Sequence, residues 1–214
     1  MDEDISIINS NTRNQKIKNF FLNNKKKLIL IVLFLLITIV GLYGFNNYKT
    51  NQQIEISNKF NLTILEYSEK KKDITVEKLV EVINAQDPTY SPLSLYFIID
   101  NQLISDNKQI NNYFDLLINK TSLDKEIKYL IIYKKALFNA DKAQESYLLN
   151  ILNPLINSKS VWKSHALYLM AEYFYSKDQK QKSREFFNQI VSLENPNSNI
   201  KLKAEKRLNR DLSE

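Results

Sequence analysis

The sequence predicts an all-α protein: one N-terminal transmembrane helix followed by a solenoid of helical hairpins. Three observations carry this. The only two glycines of the 214-residue chain, Gly41 and Gly44, lie in one apolar stretch, so none follows Phe45; hairpin turns, bulges and phosphate-cradling loops all draw on glycine. That apolar stretch, Leu28 to Phe45, is eighteen residues without a charge, about 27 Å as a helix and close to the hydrocarbon thickness of a bilayer. Third, an aspartate is followed three residues later by a glutamine at Asp106/Gln109, Asp141/Gln144 and Asp178/Gln181. An N-cap aspartate accepts from the N3 amide and an N3 glutamine reaches back. Helix starts recurring every 35 and 37 residues are the signature of stacked helix pairs.

The elements follow in order. Residues 1–27 are a tail with six basic and three acidic residues. Residues 28–46 are the membrane helix, with Tyr43 and Tyr48 at interfacial depth. Arg13, Lys16, Lys18 and Lys25 to Lys27 precede the span and only Lys49 and Lys59 follow within twenty residues, which places the tail in the cytoplasm. The run is long, its leader is long and no small-x-small site follows, so an anchor is expected in place of a cleaved signal. Residues 47–214 then form one helical domain across the membrane. Ile56, Phe60, Ile64 and Tyr67 suggest its first helix. Asp73 starts the next, with Val76, Leu79, Val80 and Ile83 as its apolar face, and Asp87-Pro88 ends it. Ser91-Pro92 reads as an N-cap followed by a first-turn proline. Hairpins are expected at 92–105 with 107–120, 123–139 with 142–153, and 161–176 with 179–192. Asn153-Pro154 and Asn195-Pro196 end the later units, and Ile200, Ala204 and Leu208 mark a closing helix. Residues 95–109 overlay 167–181 at a shift of 72, two repeats of 36.

Composition removes several functions. Without cysteine there is no disulfide, thiolate metal site or lipid-modified cysteine. His165 is the only histidine, so no histidine metal cluster or conventional triad can be built. Paired carboxylates such as Glu66 and Glu69 lie among lysines as solvated helix pairs. The net charge of +6 falls to +3 from residue 46 onward, and no basic patch is interleaved with aromatics, so nucleic acid is not an expected partner. Asn61-Leu62-Thr63 and Asn119-Lys120-Thr121 match glycosylation sequons that matter only in a eukaryotic secretory setting. No enzyme and no cofactor is expected.

The last full unit resembles a tetratricopeptide repeat, with Leu167, Met170, Ala171, Phe174, Phe187 and Ile190 at that family's packing positions. Pro196 falls one place late, and Ser183 stands where alanine is favoured. The two earlier units keep length and cap but carry Ile99 and Lys134 at the Ala171 position. The whole arrangement, a short basic tail, one N-terminal anchor and a divergent repeat domain broken by a late proline, is similar to the YfgM-like ancillary subunits of the SecYEG translocon in their alphaproteobacterial form. The segment LNPLINSKSVWKSHALYLMAEYFYSKDQKQKSREFFNQIV carries most of the likeness, which covers roughly residues 15–210. The resemblance implies a bacterial inner-membrane protein whose periplasmic domain contacts a SecYEG-type translocon and PpiD-like periplasmic chaperones.

In tetratricopeptide repeats the first helix of each pair lines a concave groove. Carried onto this chain, the groove positions are His165, Tyr168, Glu172 and Tyr175 in the best-matching unit. They are Lys128, Ile131, Lys135 and Phe138 in the middle unit, and Leu93, Tyr96, Asp100 and Leu103 in the earlier one. The spacing puts each set on one helical face. The alternative is that the stripe is packing between repeats, and Trp162 is expected to pack in that way. The expected function is therefore a membrane-anchored periplasmic protein-binding scaffold. The competing readings are a tetratricopeptide coordinator of envelope assembly or cell division, and an oligomerising structural membrane protein.

Overall fold

The computed structural model describes the backbone of residues 2–212 and the side chains of residues 13–212. The described residues contain nine α-helices, one short 3-10 turn and no strand. Helix α1 runs without a break from Asp2 to Leu65, where the sequence suggests separate helices for the anchor and for residues 56–67. Residues 46–55 contain no proline or glycine to stop it. Thr50 instead donates to the Asn46 carbonyl at 3.0 Å, and Gln52 to the Tyr48 hydroxyl at 2.6 Å. The charge-free part of α1 is long and apolar enough to cross a membrane, and none of it is buried by protein.

The chain divides into two compact units between Glu55 and Ile56. In the second, the end of α1 is followed by the turn Glu69–Lys71 and eight helices. These are α2 Lys72–Asn84, α3 Tyr90–Asp100, α4 Asn107–Lys120, α5 Lys125–Asn139, α6 Glu145–Ile156, α7 Lys163–Ser176, α8 Lys180–Val191 and α9 Ser198–Asp211. From α2 onward each helix packs on the next. Apolar residues three and four apart give each a core face: Ile110, Phe114 and Leu117 in α4, and Leu148, Leu152 and Leu155 in α6.

Three apolar clusters follow one another along the chain, and two helices, α5 and α7, place fully buried residues in two of them. Helix α5 places Ile131 in the first cluster and Ile132 with Ala136 in the second. Helix α7 places Ala166, Met170, Tyr173 and Phe174 in the second and Leu167 with Ala171 in the third. A helix buried on two sides carries few polar positions, which is why α7 reads as nearly apolar (residues 166–174).

The Asp-x-x-Gln motifs do not act alike, and this corrects the expectation of three capping boxes. Only Asp106 caps, accepting from the Lys108 amide at 2.8 Å. Asp141 sits in the turn after α5, and α6 begins at Glu145 with Gln144 at its N-cap, three residues later than expected. Asp178 has φ 57° and belongs to the end of α7: its amide donates to Tyr175 O at 3.0 Å and that of Gln179 to Phe174 O at 2.9 Å. This is the left-handed C-terminal cap. Gln102, with φ 50°, does the same for α3, where Leu103 N donates to Ile98 O at 2.9 Å and Leu103 folds into the core. Gln86, at φ 56°, closes α2, and there the Ser91 hydroxyl donates to the Val82 carbonyl at 2.6 Å. The glutamines do not reciprocate either: Gln109 donates to the Tyr113 hydroxyl and Gln181 to Glu185.

Two further starts and one end differ. Asp73 lies in the first turn of α2 and does not cap it. Ser91 is inside α3; the start is held by Asp87, whose Oδ1 accepts from the amides of Thr89 and Tyr90 at 2.8 and 2.7 Å. Pro154 lies within α6 near its end, where a missing donor costs one hydrogen bond and the helix continues to Ile156. Asn197 caps α9, accepting from the Ile200 amide at 3.1 Å.

Candidate functional site: the groove between α3 and α5

Helices α3 and α5 leave a groove between them made of two cavities that share one side chain, Tyr96. The larger, about 360 Å³, is lined by Pro88, Thr89, Pro92 and Leu93 on one side and Leu123, Asp124, Ile127 and Leu130 on the other. The smaller, about 180 Å³, is lined by Ile99, Asp100, Phe114, Lys134, Leu137 and Phe138. Leu93 and Ile127 are each 41% exposed, so apolar side chains from both helices are presented at the opening. Pro92 in the first turn of α3 keeps that rim free of one backbone donor.

Tyr96 is the polar centre of this apolar groove. Its hydroxyl is buried and has no hydrogen-bond partner, and burial pushes its pKa up to about 12. Leaving such a group unpaired costs about 1–3 kcal/mol. Lys134 places its ammonium 5.5 Å from the ring centroid, and Asp100 is exposed at the rim. The groove can therefore take an apolar side chain against the Tyr96 ring, whose own hydroxyl points into the protein.

The other proposed groove positions are placed differently. Lys128 is exposed, but Ile131 is fully buried and Lys135 is buried toward α4. The Lys135 ammonium donates to Asp115 at 2.7 Å. Beside it Asn111 and Asn139 exchange amide hydrogen bonds at 3.0 and 2.8 Å, tying α4 to α5. Leu103 is buried as well.

Between α5 and α7 the space is filled by rings. Trp162 stacks on Tyr133 at 5.8 Å, and His165 lies 5.0 Å from Trp162 and 5.7 Å from Tyr133. Burial lowers the His165 pKa, the Val161 backbone works in the opposite sense, and Lys203 lowers it further. Its Nδ1 is buried without a partner.

At Tyr168, Glu172 and Tyr175 the structure does bring the three side chains together, and α9 lies against them. Arg207 forks onto Glu172, Nε to Oε1 at 2.8 Å and Nη2 to Oε2 at 2.6 Å. It also pairs with Asp211, and its guanidinium lies 4.1 Å from the centre of the Tyr175 ring. Tyr168 packs edge-on to Phe187. Burial and the hydrogen bond to Glu172 raise its pKa to about 12. Arg210 and Arg207 hold the Asp211 carboxyl down at about 2.

Lys134, Ile127, Pro92 and Leu123 are groove residues that the spacing argument missed. An exposed Ile127 one turn before Ile131 is the available signal. Among the described residues no group of three or more His, Asp or Glu is placed to hold a metal ion. Set against known protein families, characterised proteins and solved structures, the chain matches none.

Proposed function

We propose that this chain is a membrane-anchored scaffold that binds protein segments, and that α3 and α5 supply the binding groove. The supporting observation is the pairing of an apolar two-helix groove with a single long apolar N-terminal helix. Apolar clusters handed from helix to helix, with α5 and α7 each buried on two sides, suit a tetratricopeptide-like solenoid, in which every unit contacts only its neighbours. Within that reading α3, α5, α7 and α9 are the first helices of successive units, and the α3–α5 interval is the part of the groove left open.

The partner follows from the likeness stated above: a SecYEG-type translocon and PpiD-like chaperones in the periplasm, with the N-terminal tail in the cytoplasm. The excess of basic residues before the span supports that orientation. A reporter active only in the periplasm should work after Glu214 and fail before Lys25.

The decisive experiment places a photo-crosslinker at Leu93, at Ile127 or at Tyr175 in the intact protein in its own membrane. Capture of a translocon or chaperone subunit from the first two positions and not the third supports the reading. Tyr96→Ala should weaken that capture, since truncating a packed aromatic anchor costs about 2 kcal/mol, roughly thirtyfold in affinity. Capture from Tyr175 alone, or of copies of this chain alone, would overturn it.

A further inference from the structure

The part of α1 that precedes the apolar run has its own organised surface. With about 100° between successive residues, Ile17, Phe20, Phe21, Asn24 and Leu28 share one face. Phe20 and Phe21 are each 57% exposed. Asn24 turns its amide back onto the Phe20 carbonyl at 2.9 Å, which satisfies one of its donors within the helix. Lys18 and Lys25 line one side of the stripe and Lys16 and Lys27 the other, each about 80–100° away. All four are exposed, as are Arg13 and Lys26.

Length fits the same picture. From Phe20 to Tyr48 an unbroken helix measures about 43 Å, and a bilayer with its headgroup layers measures about 40–45 Å. Phe20 with Phe21 at one end, and Tyr43, Phe45 and Tyr48 at the other, therefore bracket the whole bilayer. Lys25 to Lys27 then lie about 8–10 Å in from that end, at the inner edge of a headgroup layer about 5–8 Å thick. From there their long side chains reach back to the phosphates, with Lys16 and Lys18 just beyond the outer edge.

We propose that residues 13–27 bind acidic phospholipid headgroups, with the lysines on both flanks pairing to lipid phosphates and the aromatic stripe seated at the headgroup boundary. This rests on the reading of residues 28–46 as a membrane span, and it holds for whichever leaflet contains that end. Each basic residue near an acidic surface favours it roughly fivefold, so five lysines on a short helix give a strong preference that salt weakens.

The chain has no cysteine, which allows a single reporter. The full chain carrying Asn24→Cys, labelled with a fluorophore, is reconstituted in phosphatidylcholine vesicles containing a small share of either brominated phosphatidylglycerol or brominated phosphatidylcholine. The proposal expects quenching by the acidic lipid to exceed quenching by the neutral one severalfold. The ratio should fall toward one in high salt and in a variant with Lys16, Lys18, Lys25, Lys26 and Lys27 all changed to Gln. Equal quenching, or a ratio indifferent to salt, overturns it. So does energy transfer between differently labelled copies without lipid preference, which would mean that a second copy covers the stripe. A second reporter at Leu33→Cys separates the two readings. If it escapes quenching by both lipids, the span itself is wrong and the proposal falls with it; if it is quenched and Asn24→Cys shows no preference, only the headgroup site fails.

Discussion

Tyr96 and Tyr168 stand 72 residues apart in matching stretches of sequence, each followed four residues later by a carboxylate, Asp100 or Glu172. Around Tyr168 the space is closed: α9 brings Arg207, which forks onto Glu172 and covers the Tyr175 ring. Around Tyr96 it stays open, because α5 faces α3 with Ile127, Leu130 and Lys134 and sends Lys135 the other way to Asp115. The ammonium of Lys134 rests over the Tyr96 ring and leaves the hydroxyl unpaired. A similar stripe thus becomes a seam or a groove according to what the helix two along the chain presents to it. An arginine fork satisfies a carboxylate bidentately and stacks on a ring at once; a lysine does neither with the same geometry.

The largest expected effect comes from opening the seam. Arg207→Ala leaves Glu172 and Asp211 facing each other half-buried without their shared partner. The cost should be about 1–3 kcal/mol in urea unfolding, between the figures for exposed and fully buried pairs. Hydrogen exchange should show α9 loosening first. Asp100→Ala at the equivalent place in the groove should change stability by no more than about 0.5 kcal/mol. Equal losses at the two sites would mean that the groove is a seam too.

Removing the two hydroxyls should act in opposite directions. Tyr168→Phe gives up a hydrogen bond to Glu172 and should cost about 1 kcal/mol. Tyr96→Phe deletes a buried hydroxyl without a partner and should be neutral or stabilise by up to about 1 kcal/mol. A clear loss from Tyr96→Phe would show a partner for that hydroxyl and sharpen the picture of what the groove holds.

The helix ends differ between the two regions as well. Helix α3 stops at Asp100 and α7 at Ser176, whereas the overlay would place the latter's end at Glu172. Leu103 turns into the core after left-handed Gln102, while the matching Tyr173, Phe174 and Tyr175 continue the helix. Glycine carries no Cβ penalty at such a position. Gln102→Gly and Asp178→Gly should each stabilise by about 0.5–1 kcal/mol in the same unfolding assay. Destabilisation by either would place that residue outside the left-handed region. Asp106→Ala, by contrast, removes a working N-cap and should cost about 0.5–2 kcal/mol.

Helix type was legible because it depends on patterns that survive any packing: no glycine after residue 45, apolar residues three and four apart, and one charge-free run. The capping roles were not, because an aspartate suits both an N-cap and a left-handed C-terminal position. Identical letters at Asp106 and Asp178 gave no means of choosing between them. The choice was made by Leu103 against Tyr175, a contact between a loop and a core. The candidate site was legible in part. Tyr168, Glu172 and Tyr175 do come together, but Leu103 lies beyond the end of α3 and Lys135 turns to α4. Whether a face is covered depends on residues 20 to 35 positions away, such as Asp115 for Lys135 and Arg207 for Glu172, and periodicity within one helix does not encode them. The continuity of α1 was missed for a simpler reason: a polar stretch read as a boundary contained nothing to break a helix.

The smallest expected effect is on pH dependence, and it separates the filled intervals from the open one. His165, packed against both Trp162 and Tyr133, has its pKa lowered chiefly by burial. The unfolded chain, titrating near 6.5, then binds a proton before the folded one does, so stability rises with pH through this region. Seen from neutral pH, stability is full above about 6.5 and declines as pH falls below that value toward the lowered folded pKa. A second decline follows at stronger acidity, as Asp211 protonates between 3.8 and about 2 and releases Arg207 and Arg210. Neither group lines the α3–α5 groove. Thermal unfolding of the wild type between pH 7 and pH 5 should therefore show a modest loss that His165→Phe removes, while Tyr96→Phe leaves its slope unchanged. If His165→Phe keeps the slope, another group titrates in the aromatic seam or the histidine is charged in the folded protein. If Tyr96→Phe alters it, the groove and the seam are coupled through α5, and the contrast between them is one of degree.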